Sequence, residues 1–76
     1  MQKVFVTVQC SCDPDGVIIP TRIRWADGRC WKINKVLHTC TASHYEFEGI
    51  RYTVMIGCAV KYLYREGQQW YVGGSP

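Results

Sequence analysis

Three observations place this chain among small all-β proteins, as a single antiparallel barrel or strongly bent sheet of five to six short strands with no substantial helix. Apolar residues recur with a period of two rather than 3.6. Clusters built on glycine, proline and aspartate interrupt that alternation at roughly ten-residue spacing. No stretch carries an apolar stripe at helical spacing with capping residues. At 76 residues, 47% of them hydrophobic and 20% charged, the chain has room for one folded domain. That domain is expected to span residues 1–72, with 73–76 as a flexible tail.

Val4, Val6, Val8 and Cys10 alternate with Lys3, Phe5, Thr7 and Gln9, which reads as a first strand. Asp13-Pro14-Asp15-Gly16 supplies the next turn, because proline presets φ, aspartate bonds locally and glycine accepts a left-handed backbone. A calcium loop would need a third oxygen ligand before the glycine and a closing glutamate, and both are missing. The second strand sets Val17, Ile19, Thr21, Ile23 and Trp25 on one face, and Ile18, Pro20, Arg22 and Arg24 on the other. Pro20 cannot donate to a ladder, so this strand should lie at an edge near its start.

Ala26-Asp27-Gly28 then leads into Arg29, Trp31 and Ile33. A two-residue Asp-Gly turn would put Trp31 and Ile33 on the face of Arg22 and Arg24. A three-residue loop with Gly28 left-handed instead sets them beside Ile23 and Trp25, and matching faces select it. The strand is expected to continue, bent, through Val36, Leu37 and Thr39. Residues 41–49 read as a loop. Ile50, Tyr52, Val54 and Ile56 alternate with Arg51, Thr53 and Met55, and Gly57-Cys58 turns the chain. Val60, Tyr62 and Tyr64 alternate with Lys61, Leu63 and Arg65. Both faces of this hairpin are apolar, so its register over 50–66 stays open. Glu66-Gly67-Gln68-Gln69 turns into a short strand at Trp70-Tyr71-Val72. Curling a sheet of this SH3-like size protects edges that a flat one would expose.

The string Ile23-x-Trp25-x-Asp27-Gly28-Arg29-x-Trp31-x-Ile33-x-x-Val36-Leu37 is distinctive when followed by Gly49-Ile50-Arg51-Tyr52-Thr53-Val54-x-Ile56. With Tyr62-Leu63-Tyr64 and Trp70-Tyr71-Val72, it resembles a family of small bacterial all-β proteins of no assigned activity. The resemblance covers most of the chain and implies a compact all-β domain without naming a catalytic residue. The cysteines and the Ser43-to-Glu48 loop stand outside the pattern.

No apolar run approaches the roughly 20 residues that a membrane span needs, and the N-terminus lacks a signal peptide's apolar stretch. The expected setting is cytoplasmic, with no membrane partner. Cys10, Cys12, Cys30, Cys40 and Cys58 are an odd set, read as free thiols, several of them buried like small hydrophobes. A zinc-thiolate site would have to draw on Cys10, Cys12, Cys40, His44 and His38. Cys10-x-Cys12 is a poor knuckle, however, since alternate strand residues set the thiols about 7 Å apart on one face. No metal or cofactor is therefore expected. An acid–base pair of His38 and His44, near Glu46 and Glu48, is conceivable for RNA cleavage, but proximity within a loop is weak ground for it. The chain is expected not to be an enzyme.

Two binding surfaces are expected. Ten aromatic residues (13%) exceed what a minimal core hides, so some should reach the surface and mark a protein contact. This favours a non-catalytic interaction module, self-associating through an open strand edge. Alternatively, Arg22, Arg24 and Lys32 should share one hairpin face, with Asn34 nearby. Such a face suits weak, sequence-nonspecific nucleic-acid binding, with exposed tyrosines or Trp25 and Trp31 as stacking platforms, although the apolar side of their strands favours the two tryptophans as core residues. The net charge of +3 allows this without requiring it.

Overall fold

The computed structural model describes residues 2–41 and 49–74. Seven strands form one antiparallel sheet: β1 (Gln2–Cys12), β2 (Ile18–Arg24), β3 (Cys30–Lys32), β4 (Lys35–Thr41), β5 (Ile50–Ile56), β6 (Ala59–Glu66) and β7 (Gln69–Gly74). Their order is β3-β2-β1-β7-β6-β5-β4, curled into a half-barrel. Strands β3 and β4 occupy the two ends of that order yet follow each other in the chain. One bent segment thus serves both edges. This adds a strand to the expected count, because the kink at Ile33-Asn34 divides the expected third strand in two. The Ile33 N–H donates to the Thr21 carbonyl at 2.9 Å, and the Asn34 N–H donates to the Met55 carbonyl at 2.8 Å. Neighbouring N–H groups in extended chain point to opposite sides, so the segment hands itself from β2 to β5.

The expected three-residue loop is present. The Trp25 N–H donates to the Arg29 carbonyl and the Gly28 N–H to the Trp25 carbonyl, with Gly28 at φ +96°. Ile23 accordingly faces Trp31 across the ladder. At the start of β2, however, the expected face is reversed. Gln9 pairs with Arg22, but Cys10 pairs with Pro20, so Thr21 is an extra, bulged residue. Ile18 and Pro20 therefore turn inward, while Val17 and Ile19 are exposed. The bulge is satisfied locally, since the Thr21 hydroxyl donates to the Gln9 carbonyl at 3.1 Å. Pro20 has β1 as its only ladder partner, because β3 pairs no further than Arg22.

The Gly57-Cys58 turn fixes the open register by pairing Ile56 with Ala59 and Tyr52 with Leu63. Tyr52, Val54 and Leu63 enter the core with Ile23, Ile33 and Trp70, against a ring of half-buried Val6, Val8, Ile18, Val36 and Val72. Tyr64 and Tyr71 take the other face. Their rings stack at 4.9 Å, and Phe5 meets Tyr71 edge-on at 5.9 Å. Lys3 lies over Tyr71 and bonds Glu66 at 3.1 Å. Apolar matter thus covers both sides of the β1-β7-β6 segment. The expected tail is also shortened: Gly73 and Gly74 pair with Lys3 and Gln2. Among the described residues no helix is long and apolar enough to cross a membrane.

Two substitutions test this architecture by thermal or urea unfolding. Gly49 sits at φ +84°, and a side-chain Cβ there would collide with the Arg65 carbonyl oxygen. Gly49→Ala should cost about 3 kcal/mol or more, against about 1 kcal/mol for Gly28→Ala, whose surroundings are open. Tyr71 is fully buried, and its hydroxyl has no hydrogen-bond partner among the described residues. Tyr71→Phe removes that unsatisfied group and should leave stability unchanged or raise it by up to about 1 kcal/mol.

Candidate functional site

The β2–β3 hairpin carries different chemistry on its two faces. On the outer face Arg22 pairs with Lys32 and Arg24 with Cys30, while Gln9 and Thr7 oppose the two arginines from β1. Arg22, Arg24 and Lys32 are all exposed there, as the alternation requires. A hollow of about 290 Å³ lies among Thr7, Gln9, Arg22, Arg24 and Cys30. None of the three enters the ion pairs seen among the described residues, Lys3–Glu66 and Arg29–Asp27, so these three cations keep their charge unneutralised. Asn34 does not join them. Its side-chain oxygen accepts the Gly57 N–H at 2.6 Å and helps fix the kink.

The tryptophans lie on the inner face, away from those cations. Trp25 and Trp31 approach to 4.5 Å between ring centroids at an interplanar angle of 57°. Neither is a core residue: Trp25 is half-buried and Trp31 is 37% exposed. They wall a cleft of about 470 Å³ whose floor is Val4, Ile23, Ile56 and Val72, with Arg29 and Lys61 among its other lining residues. An adjoining hollow of about 420 Å³ shares Trp31, Ile56 and Lys61 and runs on to Cys30 and Lys32. Volumes of this order match small-molecule sites, which fall at about 300–1,000 Å³. Arg22 and Arg24 therefore share no surface with the stacking platforms, contrary to the combined reading of the sequence, and only Lys32 of the basic face lines a space beside Trp31.

Each cation of the cleft has a structural reason for its place. The Arg29 Nε donates to Asp27 Oδ2 at 2.8 Å, its backbone N–H donates to Oδ1 at 3.0 Å, and its guanidinium lies 5.4 Å from the Trp25 ring centroid. Arg29 is thereby held against Trp25, leaving Trp31 as the ring with an accessible face. Lys61 pairs with Val54, which is wholly buried, so the ladder directs its position toward the concave side. It forms no ion pair among the described residues. Sequence reasoning missed both residues. Only a settled register for the 50–66 hairpin, giving Lys61 the parity of Leu63, could have pointed to Lys61.

The thiols are exposed rather than buried, apart from the half-buried Cys40. Cys10 and Cys12 line a third hollow, about 280 Å³, with Ile18, Arg65 and Trp70. Partial burial pushes the Cys10 thiol above its usual range, against a weaker opposing pull from Arg65. This disfavours the thiolate that metal binding and nucleophilic attack need. Cys40 is placed elsewhere, opposite Arg51, and His38 opposite Thr53. His44, Glu46 and Glu48 lie outside the described residues. Among the described residues no group of three or more His, Cys, Asp and Glu could hold a metal ion.

Compared with protein-family models, curated proteins and solved structures, the chain matches none. Its functional reading rests on the chemistry of these surfaces.

The Asp27–Arg29 clamp gives a pH prediction. Donation from the Arg29 backbone N–H, ahead of the guanidinium charge, holds the Asp27 carboxyl below the usual aspartate range. A depressed pKa means that the clamp supports the loop fully above the ordinary aspartate range, and that the support is lost as pH falls through the lowered value. Carboxyl-carbon NMR titration should give Asp27 a midpoint below that of an unstructured aspartate. The Trp25 indole signal should move with the same midpoint, and Asp27→Asn should abolish that movement.

Proposed function

We propose that this protein is a non-catalytic interaction module that engages a partner's extended segment at an open strand edge, with a second copy of the chain as the simplest partner. One observation supports this most directly. Among the described residues the seven-residue strand β4 pairs with β5 alone, although β5, β6 and β7 are each paired on both sides. An edge of that length offers a row of unpaired N–H and C=O groups as a template for another strand. Leu37, the bulged residue between Val36 and His38, stands exposed beside it. No proline blocks the strand, and Lys35 at its start is its one permanent charge. Phe5 (52% exposed) and Tyr62 (51% exposed) supply surface aromatics of the kind enriched at contacts.

Sedimentation over a wide concentration range should show a reversible dimer, weakened by Leu37→Lys without loss of the folded signal. A strict monomer at all concentrations would remove the self-associating form of the proposal.

A second reading, weak sequence-nonspecific binding of single-stranded nucleic acid, is favoured by the unneutralised Arg22, Arg24 and Lys32 face. Titration with labelled single strands at two salt concentrations tests it. Affinity should fall steeply with salt, and Arg22→Gln with Arg24→Gln should lower the salt slope by about one for each phosphate contact removed. Absence of binding at low salt excludes this reading.

A further inference from the structure

We propose that the cleft walled by Trp25 and Trp31 is a nucleotide site, in which the base stacks on Trp31 and the phosphate is held by Lys61. The site is separate from the β4 edge and lies on the opposite hairpin face from Arg22 and Arg24, and it shares only Lys32 with the second reading above.

The occupant must be flat, because the accessible ring of Trp31 and the aliphatic side chain of Ile56 line both the cleft and the adjoining hollow. A flat ligand placed between them exchanges water for two apolar surfaces, and an aromatic one gains stacking as well. The occupant must also be anionic. Among the described residues, Arg29, Lys61 and Lys32 are the ionised side chains that line the two spaces, and no carboxylate lines either. Arg29 is already engaged by Asp27 and by the Trp25 ring, which leaves Lys61 and Lys32 as the free positive groups.

These cations take the two spaces in sequence, Lys61 lining both and Lys32 only the second. Two free cations lining the space beside one accessible indole suit a base whose sugar carries phosphate. That pattern occurs in a free nucleoside phosphate and in one unit of an unpaired strand. A membrane headgroup or a simple phosphate has no plane to place on Trp31, and an aromatic amino acid is a zwitterion that brings no net negative charge to Lys61 and Lys32. The concave shape excludes a paired base, whose edges and faces are already occupied in the duplex.

The test uses the whole chain, with indole N–H NMR shifts and tryptophan fluorescence as readouts. The ligands are adenosine 5′-monophosphate, ribose 5-phosphate and a short oligothymidylate at low salt. The nucleotide should shift the Trp31 indole signal and quench fluorescence, and ribose 5-phosphate should bind roughly tenfold more weakly for want of a base. Lys61→Gln, at an exposed position that should leave the fold intact, should weaken nucleotide binding by roughly tenfold. Trp31→Leu should abolish the stacking signal, with the Lys61 variant as the guard if that protein fails to fold. Equal affinity for monophosphate and oligonucleotide identifies a free nucleotide as the ligand. Tighter oligonucleotide binding that Lys32→Gln reduces identifies an unpaired strand. The proposal is overturned if neither ligand perturbs Trp31, if ribose 5-phosphate binds as well as the nucleotide, or if Arg22→Gln with Arg24→Gln removes binding that Lys61→Gln leaves intact.

Discussion

The half-barrel depends on one kink. At Ile33-Asn34 the chain leaves β2 and joins β5, and it does so with both backbone N–H groups and the Asn34 side-chain oxygen engaged. One N–H bonds to each side, and the Asn34 side chain accepts from Gly57 at the tip of the β5–β6 turn. Ile33 is buried at the same point, so the kink has an apolar anchor as well as its hydrogen bonds. Backbone groups removed from water must find partners, and a strand that changed sheets without them would cost about 1–3 kcal/mol per orphaned group. A domain of this size has little net stability to lose in that way.

The kink also creates the binding features. Because β3 follows β2 only as far as Lys32, and β4 follows β5 only from Lys35, each keeps one side without a ladder partner among the described residues. The gap beside β3 becomes the hollow leading to Lys32. The free side of β4 becomes the open edge. The cleft is the remainder of the mouth, where the β2–β3 and β5–β6 hairpins face each other without strand pairing. A fully closed barrel of these strands would have none of the three.

Much of this architecture could be read from the residues. Period-two alternation gave the strands of both hairpins, and face matching selected the Ala26-Asp27-Gly28 loop, hence the shared face of Arg22, Arg24 and Lys32. The bulge at Thr21 escaped because a one-residue insertion has no periodic signature. Val17, Ile19 and Thr21 alternate as well as Ile18 and Pro20 do, and only the ladder with β1 decides between them. The cleft escaped for a related reason. Arg29 and Lys61 come together through contact between two hairpins far apart in sequence, and the second had no settled register. Trp25 and Trp31 were correctly placed on the apolar side of their strands. That side, however, runs past the core into an open mouth, where burial is partial.

The ladder between β1 and β7 gives the fold an order in time. Val4 and Val72 are partners, as are Gln2 and Gly74, so the first of the seven strands to be made waits for the seventh. Until then the β5–β6 hairpin can form from near neighbours, while the inward valines of β1 have only β2 to shield them. Contacts between strands far apart in sequence are the slowest to close, and apolar strands left waiting are the ones that find the wrong mate. The seam that completes the half-barrel therefore sets how long each newly made copy stays vulnerable to its neighbours.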